Sequence, residues 1–150
     1  GGVSRPGNYM MPLGTSLRVV PEHAGMTENT CVVINGGPMM GATMPCLDVP
    51  LTKGTTGLLA LTKDEIRDGN TQVFPCIKCA RCVDACPIFL NPSILGLLAR
   101  KERYEEMAKD YNLNDCFECG CCSYVCPSNI PLVHFFRVAK AINRERSAPK

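Results

Sequence analysis

The 150-residue sequence contains no tryptophan, and aromatic residues make up only 6% of it. A packed core must therefore be aliphatic, and the 45% apolar content can supply one. Long hydrophobic runs are missing too. A membrane-spanning helix needs roughly 20 apolar residues, and the longest candidate, Gly57 to Leu61, is far shorter. There is little excess charge of either sign: the net charge of +2 is too small for general nucleic-acid binding. No secretory leader is visible. The sequence begins Gly1-Gly2 without a methionine, which reads as a piece of a larger protein.

Cysteine is abundant. Its 11 copies stand at positions 31, 46, 76, 79, 82, 86, 116, 119, 121, 122 and 126. Disulfide scaffolds of small secreted domains and metal sites of intracellular proteins both concentrate cysteine. An odd count, no leader, and partners three or four positions apart favour convergence on metal. A reducing, cytoplasmic compartment follows. Two runs carry the argument. Cys76-x2-Cys79-x2-Cys82-x3-Cys86-Pro87 is repeated 40 residues later as Cys116-x2-Cys119-x2-Cys122-x3-Cys126-Pro127. Three cysteines at this spacing let successive sulfurs wrap one face of an iron–sulfur cube. The fourth sits where proline turns the chain away.

Two such runs imply two [4Fe-4S] clusters, and a pair of clusters side by side forms an electron relay. In two-cluster ferredoxins the fourth cysteine of each run ligates the other cluster. On that rule cluster A takes Cys76, Cys79, Cys82 and Cys126, and cluster B takes Cys116, Cys119, Cys122 and Cys86. Zinc sites use four ligands in all, usually in widely split pairs, so a non-redox zinc-binding interaction module is the competing reading of another class. Only Cys122 keeps the spacing of the second run, which leaves Cys121 as packing beside the cluster. Cys31 lies in an apolar stretch and reads as a buried hydrophobe, and Cys46 as structural in a turn. Lys78 and Arg81 fall inside the first run, whereas the second holds Glu118 and no cation. Cluster A is accordingly expected to have the higher potential.

The rest of the chain divides around these runs. Residues 1–50 predict a small α+β unit. It has a strand over Tyr9–Met11, a helix over Ser16–Ala24 capped by Thr15 or Ser16 and stopped by Gly25, and a buried strand over Thr30–Asn35. Residues 51–73 read as a connector, with apolar Leu58–Leu61 and a turn capped by Thr62 through Asp64 and Glu65. Residues 74–146 form the cluster unit, and 147–150 a tail. Between the runs, Asn91 and Pro92 start a helix, and periodic apolar residues from Ile94 to Tyr111 extend it to roughly five turns. That favours an all-helical two-cluster ferredoxin. A second helix starts near Pro131, with Leu132, Phe135, Ala139 and Ile142 on one stripe. Residues 1–73 hold five Lys/Arg against six Asp/Glu, and 74–150 hold 11 against eight.

Weaker signals read blandly. The glycine-rich stretches Gly36–Gly41 and Lys53–Gly57 fit no nucleotide-binding spacing. Met39, Met40 and Met44 read as core or interface filler. His23 and His134 have no catalytic partner at recognisable spacing. The basic residues Arg137, Lys140, Arg144, Arg146 and Lys150 read as a solvated helix face and tail.

Arg5-Pro6-Gly7-Asn8-Tyr9, Pro12-Leu13-Gly14-Thr15 and Gly36-Gly37-Pro38-Met39-Met40-Gly41 resemble the soluble-ligand-binding β-grasp (SLBB) domain in the C subunit of the Rnf electron transport complex. Pro50-Leu51-Thr52-Lys53-Gly54-Thr55 resembles its connector. The two cysteine runs, with Cys119-Gly120-Cys121-Cys122-Ser123-Tyr124-Val125-Cys126-Pro127-Ser128-Asn129-Ile130-Pro131 in the second, resemble its cluster motifs. The resemblance covers nearly the whole chain. It implies an α+β protein, a small β-grasp-like domain followed by an all-helical two-cluster ferredoxin domain. It further implies a peripheral protein on the cytoplasmic side of the inner cell membrane. The complex would be ion-translocating and exchange electrons between ferredoxin and NAD. Other subunits of that complex, and a ferredoxin or flavin domain as redox partner, are the implied contacts. In the family, FMN and NAD bind an upstream domain that nothing here matches, so this stretch is an electron carrier with no catalytic residue of its own. The cluster half also resembles dicluster subunits of heterodisulfide reductase and glycolate oxidase type, which lack such a front domain.

Overall fold

A computed structural model describes residues 1–66 and 72–148. The chain divides into two units, Gly1–Gly69 and Asn70–Lys150. Part of the connector and Lys150 of the basic tail lie outside the described residues.

The first unit is mixed: helix α1 spans Val19–His23, and strands β1, β2 and β3 span Thr30–Asn35, Ala42–Thr43 and Leu58–Thr62. They form one antiparallel sheet in the order β2-β1-β3. β1 lies where its β-branched residues predict it. The helix starts later than expected, because residues 14–18 lie alongside 47–51. Leu17 N–H donates to the Val49 carbonyl at 2.8 Å, and Leu51 N–H to Thr15 at 2.7 Å. Gly25, at φ +74°, ends the helix as expected. No strand forms at Tyr9–Met11. Pro6 and Pro12 flank it and cannot donate to a ladder. Tyr9 is held instead by its hydroxyl on the Arg5 carbonyl and its ring edge-on to His23 at 5.5 Å.

Two further readings need correction. β3 lies inside the stretch read as a connector and pairs along β1 from Val32↔Leu61 to Asn35↔Leu58. Its unbroken apolar run hides the alternation that would mark a strand. Cys31 is exposed, not buried. On regular alternation it would share a face with buried Val33, but a bulge between Thr30 and Val32 turns it outward. The Thr62 turn forms as expected, with Thr62 N–H and hydroxyl both donating to Glu65 Oε2, at 3.0 and 3.2 Å.

The second unit is helical in its described residues. α2 spans Arg81–Asp84, α3 Pro92–Arg100, α4 Tyr104–Lys109, α5 Cys121–Tyr124 and α6 Leu132–Ser147, with a 3-10 turn at Leu113–Asp115. The duplication read in the cysteines extends to the backbone. Left-handed residues recur in pairs 40 apart: Lys78 and Glu118, Ala80 and Gly120, Phe89 and Asn129. α2 and α5 are offset by the same 40, as are the starts of α3 and α6.

Asn91 caps α3, its Oδ1 accepting from Ile94 N–H at 3.1 Å, with Pro92 as first residue. The single five-turn helix is not formed. The chain breaks at Lys101–Arg103, where Glu102 has φ +55°, and α4 folds back so that Asn143 on α6 donates to the Tyr104 carbonyl at 2.8 Å. The periodicity runs on across the break because Tyr104 and Met107 join the same core as Leu95 and Leu98. Phe136, off the expected stripe, is fully buried there with Leu132 and Ala139, while Phe135 is only partly covered. Burying one such side chain contributes about 1.5–3 kcal/mol.

Candidate metal centre

Each run shapes its own shell. In the first, left-handed Lys78 and Ala80 reverse the chain twice, and α2 then starts at Arg81. In the second, Glu118 and Gly120 do the same ahead of α5. The coiling lets three cysteines of one run face one space.

The fourth is delivered by crossing. The segment entering the first run is tied to the residues just after Cys126-Pro127. Phe74 N–H donates to the Ser128 carbonyl at 2.9 Å. Ser128 Oγ donates to the Pro75 carbonyl at 3.0 Å, and Asn129 Nδ2 to Gln72 at 3.4 Å. Ser128 is buried in doing so.

The result is two cavities. One, of about 530 Å³ counting its open mouth, is lined by Cys76, Cys79, Cys82 and Cys126, with Ile77, Leu97, Ile130 and Leu132 among its apolar walls. The other, of about 350 Å³, is lined by Cys86, Cys116, Cys119 and Cys122, with Leu95, Val133 and Phe136. Each cavity thus takes three cysteines from one run and the fourth from the other. Among the described residues, no three His, Cys, Asp or Glu side chains close on a single point as they would around one ion.

Electrostatics point the same way. Burial, then repulsion from Cys126, Cys76 and Cys79, pushes the Cys82 thiol above its ordinary value. Burial likewise raises Cys116 and pushes Cys122 up to about 12. Thiolates at these positions need strong positive charge facing them, which a bound iron–sulfur cluster would supply as the protons leave. Four soft sulfur donors around an apolar cavity suit a [4Fe-4S] cluster, which Cys thiolates hold.

No disulfide joins any of the eleven cysteines. Cys121 is in the lining of neither cavity, and a hydrogen bond with Cys119 raises its thiol above the ordinary value. Cys46 is exposed, with its Sγ accepting from Asp48 N–H at 3.4 Å.

The second run holds no cation of its own, as the sequence reads, but α6 brings two beside it. Arg137 Nε donates to Glu118 Oε2 at 2.9 Å, and Lys140 Nζ donates to Glu118 Oε1 at 3.1 Å and to the Cys116 carbonyl. Burial pushes Glu118 up, but the bonds from Lys140 and Arg137 outweigh it and leave the carboxyl below its ordinary value. Lys140 is buried, not part of a solvated face.

Residues 75–130 match the family model of the 4Fe-4S dicluster domain. The chain is 41% identical over 145 residues to the C subunit of the proton-translocating ferredoxin:NAD(+) oxidoreductase complex of Clostridium ljungdahlii, covering 96% of this chain and 31% of that protein. It is 46% identical over 140 residues to the C subunit of the ion-translocating oxidoreductase complex of Klebsiella pneumoniae, covering 93% of this chain and 18% of that one. The chain thus spans less than a third of the length of either relative. The resemblance read from its motifs is the relation these alignments find, and the second unit carries a 4Fe-4S dicluster domain.

Proposed function

We propose that the chain is the cluster-bearing stretch of an Rnf-type C subunit and relays electrons through two [4Fe-4S] clusters. Cys76, Cys79, Cys82 and Cys126 hold one cluster, and Cys116, Cys119, Cys122 and Cys86 hold the other. The observation that carries this reading is the pair of cavities, each walled by three cysteines of one run and the fourth of its partner.

A bound [4Fe-4S] cluster accepts and returns one electron with little change of shape. The chain's own residues provide four thiolates per site, hold them by the crossed Phe74–Ser128 contact, and keep water from the inner faces with Leu95, Leu132 and Phe136. Cys79 is exposed, which gives the first site an edge on the surface where an electron can be exchanged.

The parent complex is, in this reading, ion-translocating and moves electrons between ferredoxin and NAD. The protein lies peripherally on the cytoplasmic face of the cell membrane, against other subunits. No helix among the described residues is long and apolar enough to cross a membrane, which is compatible with that position. FMN and NAD belong to an upstream domain. The first unit is the SLBB-type β-grasp domain; its antiparallel sheet and the alignment of nearly the whole chain support this.

Visible spectroscopy of the anaerobically purified chain tests the relay. The reading predicts a brown protein whose broad band bleaches with dithionite and recovers on adding oxidised ferredoxin. A colourless, zinc-containing protein would reject it.

A further inference from the structure

We propose that Lys140 is a positioning residue that makes the site of Cys116, Cys119, Cys122 and Cys86 the higher-potential one of the two, the reverse of what the charges within the runs suggest. The inference rests on the relay reading above. Lys140 is only 9% exposed, yet it carries an ammonium. Two acceptors fix that ammonium against the second run: the Cys116 carbonyl and, at 3.1 Å, Glu118 Oε1. Arg137 takes the other Glu118 oxygen at 2.9 Å. The three side chains sum to one positive charge beside the first cysteine of the run.

The first site is different. Its pseudo-equivalent of Lys140, 40 residues earlier, is Arg100, which lines the first cavity but is exposed, as are Lys78 and Arg81. Charges in water are screened by solvent and salt, whereas a buried one acts through a lower effective dielectric. Reduction adds a negative charge to a site, so the buried cation favours it more than the exposed ones do.

Lys140 does this as a fixed donor. Its bond to the Cys116 carbonyl holds the start of the run, while Glu118, strained at φ +62°, is pinned at both oxygens. Removing the ammonium should lower one couple and leave the other nearly unmoved.

The test is an EPR-monitored redox titration of the iron-loaded chain, comparing the unaltered protein with Lys140→Met, Lys140→Arg and the exposed-surface control Lys109→Met. Lys140→Met is expected to move the higher of the two couples down, with Lys140→Arg restoring most of the shift and Lys109→Met causing none. If Lys140→Met fails to retain iron, Glu118→Gln decides, because neutralising that carboxyl must raise the same couple. Unmoved couples in an iron-replete variant, equal shifts of both, or a shift confined to the lower couple would overturn the role of Lys140 alone. Unaltered protein that binds no iron would overturn the relay reading as well.

Discussion

Ala80 stands at φ +60° and its counterpart in the second run, Gly120, at φ +87°. A left-handed conformation strains a residue with a Cβ by about 1 kcal/mol or more, and glycine escapes that. Ala80→Gly should therefore stabilise the second unit by about 0.5–1 kcal/mol, and Gly120→Ala should destabilise it by a similar amount. Urea unfolding of the iron-loaded variants measures both; equal midpoints for Ala80→Gly and the unaltered chain would contradict the strain. Single residues are unevenly legible in the sequence. The spacing of the eight run cysteines sets them apart from the other three, and the structure gathers them four to a cavity. Lys140 and Arg137 cannot, because Glu118 meets them from 22 and 19 residues away on a separate helix. Cys31 escapes too, because a bulge, which has no marker in the sequence, reverses the face it occupies.

Among the elements, the contact of α3 with α6 fixes how closely the two repeats sit. Gly96 lies on α3 where a Cβ would come within 2.5 Å of Leu132 Cδ2, and Leu132 is itself buried at the start of α6. Alanine gains up to about 1 kcal/mol in helix propensity, but overpacking a core typically costs about 1–3 kcal/mol. Gly96→Ala should therefore lower the thermal midpoint of the second unit; a raised midpoint would mean that Leu132 has room to turn away. Asn91 and Pro92 announce α3 correctly because capping chemistry is local. The break after Arg100 is not readable, since no glycine or proline marks it and the apolar period continues through Met107 into the same core. β3 is hidden for a related reason: when neighbouring side chains along a strand are all apolar, the period of two disappears.

For the whole molecule, the proposed ligation, crossed between the two runs, predicts that the second unit folds cooperatively. Neither cavity is complete without cysteines from both halves, and the hydrogen bonds of Ser128 join the beginning of one half to the end of the other. In the proposed relay, metal binding is part of the folding free energy. The most direct measurement of this account is the iron and acid-labile sulfide content of the anaerobically purified chain, with EPR of the reduced sample. The account predicts about eight iron and eight sulfide per chain and two spin-coupled signals. A chain with about four iron and a single uncoupled signal, or one with its eight run cysteines in disulfides and no iron, would contradict it.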